Sequence, residues 1–512
     1  MRERFTRRRF LSAVGAGAAY LTLTNVVGCD RSERVPKART PKGGGPSTPK
    51  VALLPTASPR SQEGVWRFRS RPDLSPPPVE VSTQAHDTAP GYIFVALENG
   101  DARQGGSMIV DDRGEVVWFR PLQGRHGRAH DLKVQSYRGK PVLTWMDGVN
   151  EYVIFDHSYR EIARFSAGNG YSGDHHEFLI SPQDTALITI YNPVPWNLTS
   201  IGGLKNDRVW QGIVQELDIE SGEVLFEWHS LEHVGLDETY ATVVQDGSPG
   251  FDYFHVNSID VDHDSNLLIS GRDTFTVYKI DRSTGEIMWR LGGKKSDFEM
   301  GPGTRFAFQH DARRQPDGTI TIFDNGTTVF HGNVPEAVEE SRGIVLELDE
   351  EQMSASLVRE YTHPDKQYAN AAGNMQMLPN GNVFIGWGRA LVFSESSHDG
   401  KLLFDARLPH HHRSYRYFRF PWSGHPTDRP SAVAQRANED EIEVYASWNG
   451  ATGVSTWEVL AGPHPEQIEP LGSVPRNGFE TAMAAQTHHP YVAVRGKDRS
   501  GRVLGTSAPV KA

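Results

Sequence analysis

A unit of four strand-like segments recurs along this chain and constrains its fold more than any other feature. One clear copy, Val256 to Leu291, divides into NSIDV, LLIS, TVYKI and EIMWR, with the turns HDSN, GRDTF and DRSTG between them. Hairpins like its last one recur at 108–119, 152–165, 213–228, 344–361 and 391–405. Repeated four-strand units are typical of a β-propeller, in which loop insertions lengthen some repeats. We predict an all-β, six-bladed β-propeller; seven blades or a pair of unrelated β-domains are the alternatives.

The last part of the chain follows a different pattern. Glycine and proline are abundant throughout, with 50 and 32 residues of 512, which favours turn-rich β structure. After about Pro430, the runs EIEVYASWNGATGVSTWEVLAG and PYVAVRGKDRSGRVLGTSAPV show the strand spacing and the Trp and Tyr placement of a fibronectin type III-like β-sandwich. We therefore assign residues 63–428 to the propeller and residues 429–512 to a small sandwich.

The N-terminal segment has the pattern of an export signal. TRRRFLS, Thr6 to Ser12, carries paired arginines before Phe-Leu, as twin-arginine signals do, and a weakly apolar run follows it. VVGC, Val26 to Cys29, resembles a lipobox, in which cleavage precedes a cysteine that becomes lipidated. Cys29 is the only cysteine in the chain, which favours this interpretation over a signal-anchor helix with a chance cysteine.

These signals predict where the protein resides. We expect residues 1–29 to be a twin-arginine signal peptide with its lipobox, and residues 30–62, rich in Pro, Ser, Thr, Lys and Gly, to be a disordered tether. The protein would then be lipid-anchored through Cys29 on the extracytoplasmic face of the cell membrane. Residues 1–28 carry a net charge of +4 and the rest of the chain −15, so the acidic body argues against a nucleic-acid partner.

Polar residues recur at the start of the repeats. Each lies about 8–12 residues before an apolar strand: His130, His176, His255, His310 and Asn374. Because innermost strands surround the central channel of a propeller, equivalent positions would form a ring at one mouth of it. A repeated structural role for these residues is the alternative. His175 and His410–His412 fall outside the pattern and are expected to be surface or loop residues.

The second strand of each repeat returns to the same face, which adds candidates for this pocket. They are Trp145, Asn192, Arg272, Asn325 and Trp387. A convergent polar cluster at a channel mouth is a candidate binding or catalytic site. Of Arg313 and Arg314, which follow His310 in alternation, one is expected to reach it.

Imidazoles beside a guanidinium indicate oxyanion chemistry. Histidines can bind zinc or copper, but no HxH or HxxxH spacing joins the ring histidines, and Arg272 suits a sulfate or phosphate better. One neutral imidazole, oriented by Asp311 or a backbone carbonyl, would attack sulfur or phosphorus, and the other cluster groups would stabilise the charge that develops. Trp145 and Trp387 would form aromatic walls for a phenolic substrate.

Four longer sequence motifs support a propeller with oxyanion chemistry. The runs WRLGGKKSDFEMGPGTRFAFQHDARRQPDGTITIFDNG, FHVNSID, DHHEF and NMQMLPNGNVFIGWG resemble the arylsulfotransferase family, in particular its shorter actinobacterial and fungal branch. The resemblance covers about residues 66–425, and the tail also fits that branch. It implies a six-bladed propeller that moves sulfate from a phenolic ester to another phenol through a transient sulfo-histidine, without a nucleotide sulfate donor, a metal or another cofactor.

The resemblance also assigns roles. It implies His310, in FQHDA, as the sulfated nucleophile, His255 and His176 as assisting histidines, and Arg272, 17 residues after His255, as the assisting arginine. The remaining pocket candidates would bind substrate: His130, Asn192, Asn257, Asn325, Trp145 and Trp387. The chain is shorter between its second and third histidines than characterised members. A non-catalytic, ligand-binding propeller lipoprotein, a metal- or quinone-dependent propeller enzyme and a homodimeric state all stay open.

Overall fold

A computed structural model describes residues 50–55, 64–98, 104–122, 129–148, 150–243, 250–326 and 338–512. The predicted signal peptide, Cys29 and most of the predicted tether lie outside these residues. Helix in the described ranges is confined to α1, Ser230–His233, and the 3-10 turns Thr199–Ile201, Leu236–Glu238 and Gly388–Ala390. No helix among them has the length and apolar character needed to cross a membrane.

The other elements are strands, numbered here in chain order. The first fourteen are β1 Val51–Leu53, β2 Glu80–Thr83, β3 Tyr92–Leu97, β4 Gly106–Val110, β5 Val116–Pro121, β6 Ala129–Tyr137, β7 Lys140–Asp147, β8 Glu151–Phe155, β9 Glu161–Phe165, β10 Gly173–Ile180, β11 Thr185–Trp196, β12 Asp207–Asp218, β13 Val224–His229 and β14 Phe251–Asp252. The next fourteen are β15 Val256–Val261, β16 Leu267–Gly271, β17 Thr276–Ile280, β18 Ile287–Gly292, β19 Glu299–Met300, β20 His310–Arg314, β21 Ile320–Asp324, β22 Arg342–Asp349, β23 Ser354–Tyr361, β24 Asn374–Met377, β25 Val383–Gly386, β26 Val392–Ser396, β27 Leu402–Arg407 and β28 Tyr417–Phe420. The last eight are β29 Ser431–Asn438, β30 Glu441–Ser447, β31 Thr456–His464, β32 Gln467–Pro475, β33 Glu480–Gln486, β34 Tyr491–Lys497, β35 Val503–Thr506 and β36 Val510–Lys511.

Six sheets of the described residues form the blades of a propeller. From the innermost strand outward they are β28-β3-β4-β5, β6-β7-β8-β9, β10-β11-β12-β13, β15-β16-β17-β18, β20-β21-β22-β23 and β24-β25-β26-β27. The innermost strands contact one another in sequence around a ring, and β28 returns to contact β6. The prediction of an all-β, six-bladed propeller is confirmed.

The ring is closed by strands from opposite ends of the propeller. β28 follows the last blade in the chain but pairs antiparallel with β3, with Tyr417 opposite Val95. β2 likewise adds an outer strand to the last blade by pairing with β27. Closure therefore depends on pairings between residues more than 300 positions apart.

Apolar side chains from neighbouring blades share each core. In one core, Val214 of β12 packs with Leu267 and Ile269 of β16 and with Tyr278 of β17, all fully buried. Burial of each such side chain contributes about 1.5–3 kcal/mol. The blades are thus held together by packing between sheets, and the polar residues that begin the innermost strands lie outside these apolar cores.

The C-terminal residues form a two-sheet sandwich. One sheet has the order β1-β33-β30-β29, and the other has the order β32-β31-β34, with β35 and β36 both paired to β34. Trp457, Val459, Met483 and Val492 fill the core between them. A sandwich is therefore present, and its fibronectin type III-like character stays a prediction.

The segment predicted as a disordered tether includes one strand of this sandwich. β1 pairs antiparallel with β33, with Val51 opposite Ala485, and Val51 is buried in the sandwich core. The expectation of disorder was wrong for Val51–Leu53. Three apolar residues are too short a run to indicate a strand by themselves, and the edge of β33 supplies the partner that orders them.

Hydrogen bonds join the sandwich to the propeller. The Asn449 side chain accepts a hydrogen bond from the Phe119 N–H and donates one to the Phe119 carbonyl, both at 2.9 Å. The Tyr159 hydroxyl donates to the Gly450 carbonyl at 2.9 Å. These bonds fix the sandwich to β5, at the outer edge of the closing blade, and to the turn between β8 and β9 of the next blade.

Candidate active site

Local irregularities in the innermost strands direct histidines to the channel mouth. The register shifts between His130 and Lys133 in β6 and between His310 and Arg313 in β20. The residue after each of these histidines has positive φ, 59° at Asp131 and 55° at Asp311. A bulge of this kind bends a strand and re-aims its side chains, so the imidazoles leave the regular alternation of the blade.

The structure brings the predicted histidines together. The His176 ring centroid lies 4.9 Å from that of His255, and the His130 ring lies 4.5 Å from His175. His176 and His310 both contact the ring of Tyr415, at 5.3 and 6.0 Å. His175, expected to be a surface or loop residue, belongs to this cluster, with its ring 4.2 Å from His176.

Two of these imidazoles are oriented by carboxylates. The His255 Nδ1 lies 2.6 Å from Asp252 Oδ2, and the His176 Nδ1 forms the same hydrogen bond with Asp174 Oδ2. An ionised carboxylate only accepts hydrogen bonds, so Nδ1 carries the proton in both rings and Nε2 keeps its lone pair. Each carboxylate also stabilises its imidazole when the ring takes up a second proton.

His310 is oriented by an amide. Its Nδ1 lies 2.7 Å from Asn325 Oδ1 and 3.1 Å from the Phe308 carbonyl. The Asn325 Nδ2 donates to the carbonyls of Ala369 and Ala372, at 3.0 and 2.9 Å, which turns Oδ1 toward the histidine. Nδ1 is therefore the protonated nitrogen of His310, and Nε2 accepts a hydrogen bond from the Ala372 N–H at 3.2 Å.

The expected role of Asp311 in orienting His310 is not what the structure shows. Asp311 Oδ2 accepts from the Met375 N–H at 3.1 Å, and Oδ1 accepts from Arg313 Nε at 2.9 Å. The alternative expectation was that a backbone carbonyl orients the ring, and the Phe308 carbonyl lies within hydrogen-bond distance of His310 Nδ1. Asn325, predicted as a substrate-binding residue, is the side chain that orients the ring.

Burial keeps the imidazoles of His310 and His176 neutral. Burial lowers the pKa of His310 well below its usual range, and the charges of Arg272 and His255 lower it further. Burial also lowers the pKa of His176, to about 4, although Asp174 opposes this effect. Both rings therefore stay unprotonated at Nε2 at neutral pH, as a nucleophile or a base requires.

Arg272 lies close to two of the histidines, His255 and His310. Its backbone N–H donates to the His255 carbonyl at 3.0 Å, and its guanidinium lies 4.9 Å from the centre of the Phe308 ring, two residues before His310. Its NH1 group donates to Asp273 Oδ1 at 2.7 Å. The remaining guanidinium edge can face an anion held at the histidines.

The two tryptophans lie in the blade cores instead of the pocket. Trp145 packs against Phe155 with ring centroids 4.5 Å apart, and Trp387 contacts Phe323 at 5.9 Å and donates its indole N–H to Ser394 Oγ at 2.8 Å. Both tryptophans are 1% exposed. The expectation of aromatic substrate walls was therefore wrong, because these side chains point between neighbouring sheets.

Two tyrosines, Tyr191 and Tyr415, contact the histidine rings, where Asn192 and the two tryptophans were expected. The Tyr191 ring lies 5.2 Å from His176 and 5.4 Å from His255. Successive side chains of a strand alternate between its faces, so Asn192, predicted to reach the pocket, faces away from these rings. Tyr415, beside the closing strand β28, was not predicted at all; recognising RSYRYFRF as a further innermost segment would have indicated it.

The predicted amides at the strand starts tie blades together. Asn257 Nδ2 donates to the Gln309 carbonyl at 2.6 Å, and the Asn257 carbonyl accepts from the Tyr415 hydroxyl at 3.2 Å. Asn374 exchanges two hydrogen bonds with the Tyr417 backbone, at 2.7 and 2.9 Å. Their side chains are fully buried, so they act on the site through its framework.

A buried layer of charges lies next to the histidines along the innermost strands. Its members are Asp131, Lys133, Glu177, Asp311, Arg313 and Arg416. Arg416 NH1 lies 3.1 Å from Asp131 Oδ1 and 3.2 Å from Glu177 Oε2. Burial opposes ionisation of Glu177, but Arg313, Arg416 and Lys133 together lower its pKa far below the usual range. Arg313 therefore reaches this layer, whereas Arg314 pairs with Asp262.

Two groups of the described residues have donor atoms close enough to hold a metal ion. They are Asp174, His175 and His176, and Asp252, His255 and Asp273. In each group a carboxylate already accepts the Nδ1 proton of a histidine, and Asp273 also accepts from Arg272. These carboxylates thus orient imidazoles, which leaves Nε2 as the reactive nitrogen.

Comparisons with known proteins identify one matching sequence family. The sequence model of the family described as Arylsulfotransferase (ASST) matches residues 133–408. No curated protein matches the chain. Among solved structures, a Bacteroides caccae protein of unknown function is 15% identical, with 65% of this chain and 100% of that chain covered and a TM-score of 0.38. A catalytically inactive virginiamycin B lyase variant from Staphylococcus aureus, solved with quinupristin, is 8% identical, with 80% and 99% covered and a TM-score of 0.32.

The family match includes most of the residues that form the candidate site. His176, His255, Arg272 and His310 all lie within the matched range. Because that range spans more than half of the 512 residues, the chain belongs to the arylsulfotransferase family.

Proposed function

We propose that this protein transfers sulfate from an aryl sulfate ester to a phenolic acceptor through a transient sulfo-histidine on His310, without a nucleotide sulfate donor. The observation that carries the proposal is the state of His310: a buried, neutral imidazole whose Nδ1 proton is donated to the uncharged Asn325. An amide partner leaves the ring neutral, whereas a carboxylate partner favours the imidazolium form.

The donor half-reaction forms one bond and breaks one. The Nε2 lone pair of His310 attacks the sulfur atom, and the bond between sulfur and the aryl oxygen breaks with its electron pair on the phenolate. The ring becomes cationic, and its Nδ1 proton stays hydrogen-bonded to Asn325. Arg272 stabilises the negative charge of the sulfuryl and leaving oxygens.

The acceptor half-reaction reverses these steps with a second phenol. We assign proton transfer to His255, since Asp252 stabilises its imidazolium form. Protonated His255 gives its proton to the leaving phenolate, and neutral His255 then takes the proton of the acceptor as its oxygen attacks sulfur. His176, backed by Asp174, lies 4.9 Å from His255 and lines the same space.

Release of p-nitrophenol from p-nitrophenyl sulfate, in the presence of a phenol, tests this function. We expect His310→Ala to lower kcat by about 10³-fold or more, as loss of a nucleophile does, and to abolish a covalent adduct of one SO3 group. His363→Gln serves as the control, because His363 is a buried histidine that pairs with Asp405 away from the mouth. Full activity of His310→Ala would contradict the mechanism, and donor binding without turnover by the unmodified protein would favour the ligand-binding alternative.

We further propose that the protein is exported by the twin-arginine route and anchored to the membrane through lipid on Cys29. The support is the sequence alone, namely the paired Arg7 and Arg8 and the lipobox. Cys29→Ser should move the protein from the membrane fraction to the soluble extracytoplasmic fraction. Replacement of Arg7 and Arg8 by lysine should stop export, whereas Arg4→Lys should not; membrane retention of Cys29→Ser would contradict the anchor.

A further inference from the structure

A backbone amide occupies the reactive nitrogen of His310. The Ala372 N–H donates to His310 Nε2 at 3.2 Å, and the histidine is only 1% exposed. Ala372 and Gly373 both have positive φ, 62° and 106°, so the turn has an unusual backbone path that directs this N–H at the ring. The lone pair expected to attack sulfur is therefore capped in the resting protein.

The rest of the turn is held by other groups. The Ala369 and Ala372 carbonyls accept from Asn325, and the Gly373 N–H donates to the Tyr415 carbonyl at 3.0 Å. Within the described part of the chain, His310 Nε2 is the acceptor of the Ala372 N–H. The same asparagine thus fixes both the histidine and the turn that caps it.

Formation of a nitrogen–sulfur bond removes this acceptor. The Nε2 lone pair is consumed, and a buried donor without an acceptor is costly. The sulfuryl oxygens are attached to the sulfur atom on Nε2, so they are the nearest replacement acceptors. A long hydrogen bond of 3.2 Å is also weak enough to exchange partners readily.

We propose that the Ala372 N–H is a catalytic backbone donor that passes from His310 Nε2 to a sulfuryl oxygen as the donor half-reaction proceeds. This inference rests on the proposed function. The amide proton stays on nitrogen throughout; the bond to sulfur forms from the Nε2 lone pair, and the aryl oxygen leaves with the electrons of the broken bond. The cap thereby favours sulfate esters, whose reacting sulfur carries oxygens that can accept from the N–H, over electrophiles whose reacting atom carries no oxygen acceptor.

An amide-to-ester exchange at Ala372 in the full chain tests the proposal. A lactic acid residue introduced by nonsense suppression removes the N–H and keeps the methyl group, whereas proline would fix φ near −65° against the observed 62°. The matched control is a glycolic acid residue at Gly373, which removes a neighbouring N–H that donates to a carbonyl. We expect the ester at 372 to slow the burst of p-nitrophenol, without acceptor, by about 10²-fold or more, and the ester at 373 to change it little.

The outcomes separate this inference from the function on which it rests. An equal loss in both esters, or an unchanged burst in the ester at 372, would overturn the role of Ala372 alone. Absence of both burst and SO3 adduct in the unmodified protein would overturn the proposed function and this inference with it.

A second measurement needs no variant. In ¹⁵N-labelled protein we expect a scalar coupling across the hydrogen bond between Ala372 N and His310 Nε2, lost when p-nitrophenyl sulfate is added. Absence of this coupling in the resting protein would overturn the cap.

Discussion

At the scale of single residues, the partner of each imidazole decides its chemistry. His255 and His176 donate their Nδ1 protons to carboxylates, whereas His310 donates its Nδ1 proton to an amide oxygen. Burial lowers the pKa of both His310 and His176, but the amide partner leaves His310 with no adjacent carboxylate to oppose this effect. Under the proposed mechanism, this difference assigns the nucleophile to His310 and proton transfer to His255.

Replacement of Asn325 by aspartate should change the pH dependence of the reaction. The pKa of His310 is lowered, so its neutral form, and the burst rate with it, should persist below the ordinary histidine pKa of about 6.5. A carboxylate at position 325 favours the imidazolium, so the acid limb of the burst rate should move to higher pH. Asn257→Asp is the control, since Asn257 is equally buried but bonds to the Gln309 carbonyl; an acid limb unmoved by Asn325→Asp would contradict this assignment.

At the scale of elements, strands of several blades contribute to one buried charge layer. Asp131 lies on β6, Glu177 on β10 and Asp311 on β20, and Arg416 beside β28 interacts with all three. Three acids and three bases balance the charge, which suits a site closed to water. The layer therefore couples closure of the ring to the positions of the neighbouring histidines.

Loss of Arg416 should destabilise the propeller strongly. Arg416→Met leaves Asp131 and Glu177 short of a positive charge, and breaking a buried pair costs about 3–5 kcal/mol. Urea denaturation should show this loss in the free energy of unfolding. The double variant Glu177→Gln/Arg416→Met should recover part of it, because the charges balance again; a double variant less stable than Arg416→Met would contradict charge imbalance as the cause.

At the scale of the whole molecule, hydrogen bonds and apolar packing, such as Phe479 against Phe68 with ring centroids 4.4 Å apart, join the sandwich to the propeller. Asn449 alone exchanges two hydrogen bonds with Phe119 on the closing blade. β1 brings the chain into the sandwich before the propeller begins, and β29 brings it back afterwards. Both ends of the propeller are thus connected to one sandwich.

Asn449→Ala should uncouple the two domains. The change removes both bonds to the edge strand of the closing blade, a loss of about 1–3 kcal/mol. Scanning calorimetry should then resolve two transitions, or a broader one, where the unmodified protein shows one. Asn438→Ala, at a turn within the sandwich, is the control; a single unshifted transition in Asn449→Ala would show that this contact does not couple the domains.

Much of the fold and part of the site could be predicted from the repeat. Alternation and turn residues are local signals, so the four-strand unit and the equivalence of His130, His176, His255 and His310 could be inferred without coordinates. β1 could not be found in this way, and Tyr415 was missed because its segment, RSYRYFRF, is separated in the chain from the blade that it completes. Both depend on partners far away in the chain: the Tyr415 hydroxyl donates to the Asn257 carbonyl, 158 positions earlier, and Val51 of β1 pairs with Ala485.

The sequence by itself determined the β repeat, the six blades and the set of histidines that the blades bring to one channel mouth. Only the tertiary structure decided which side of each strand its polar and aromatic residues occupy. Trp145 and Trp387 pack between blades, and Asn325 orients His310 and the turn at Ala372. The reason is physical: strand periodicity is set by neighbouring residues, whereas bulges, closure by β28 and the partner of each imidazole depend on contacts that form only when the ring is complete.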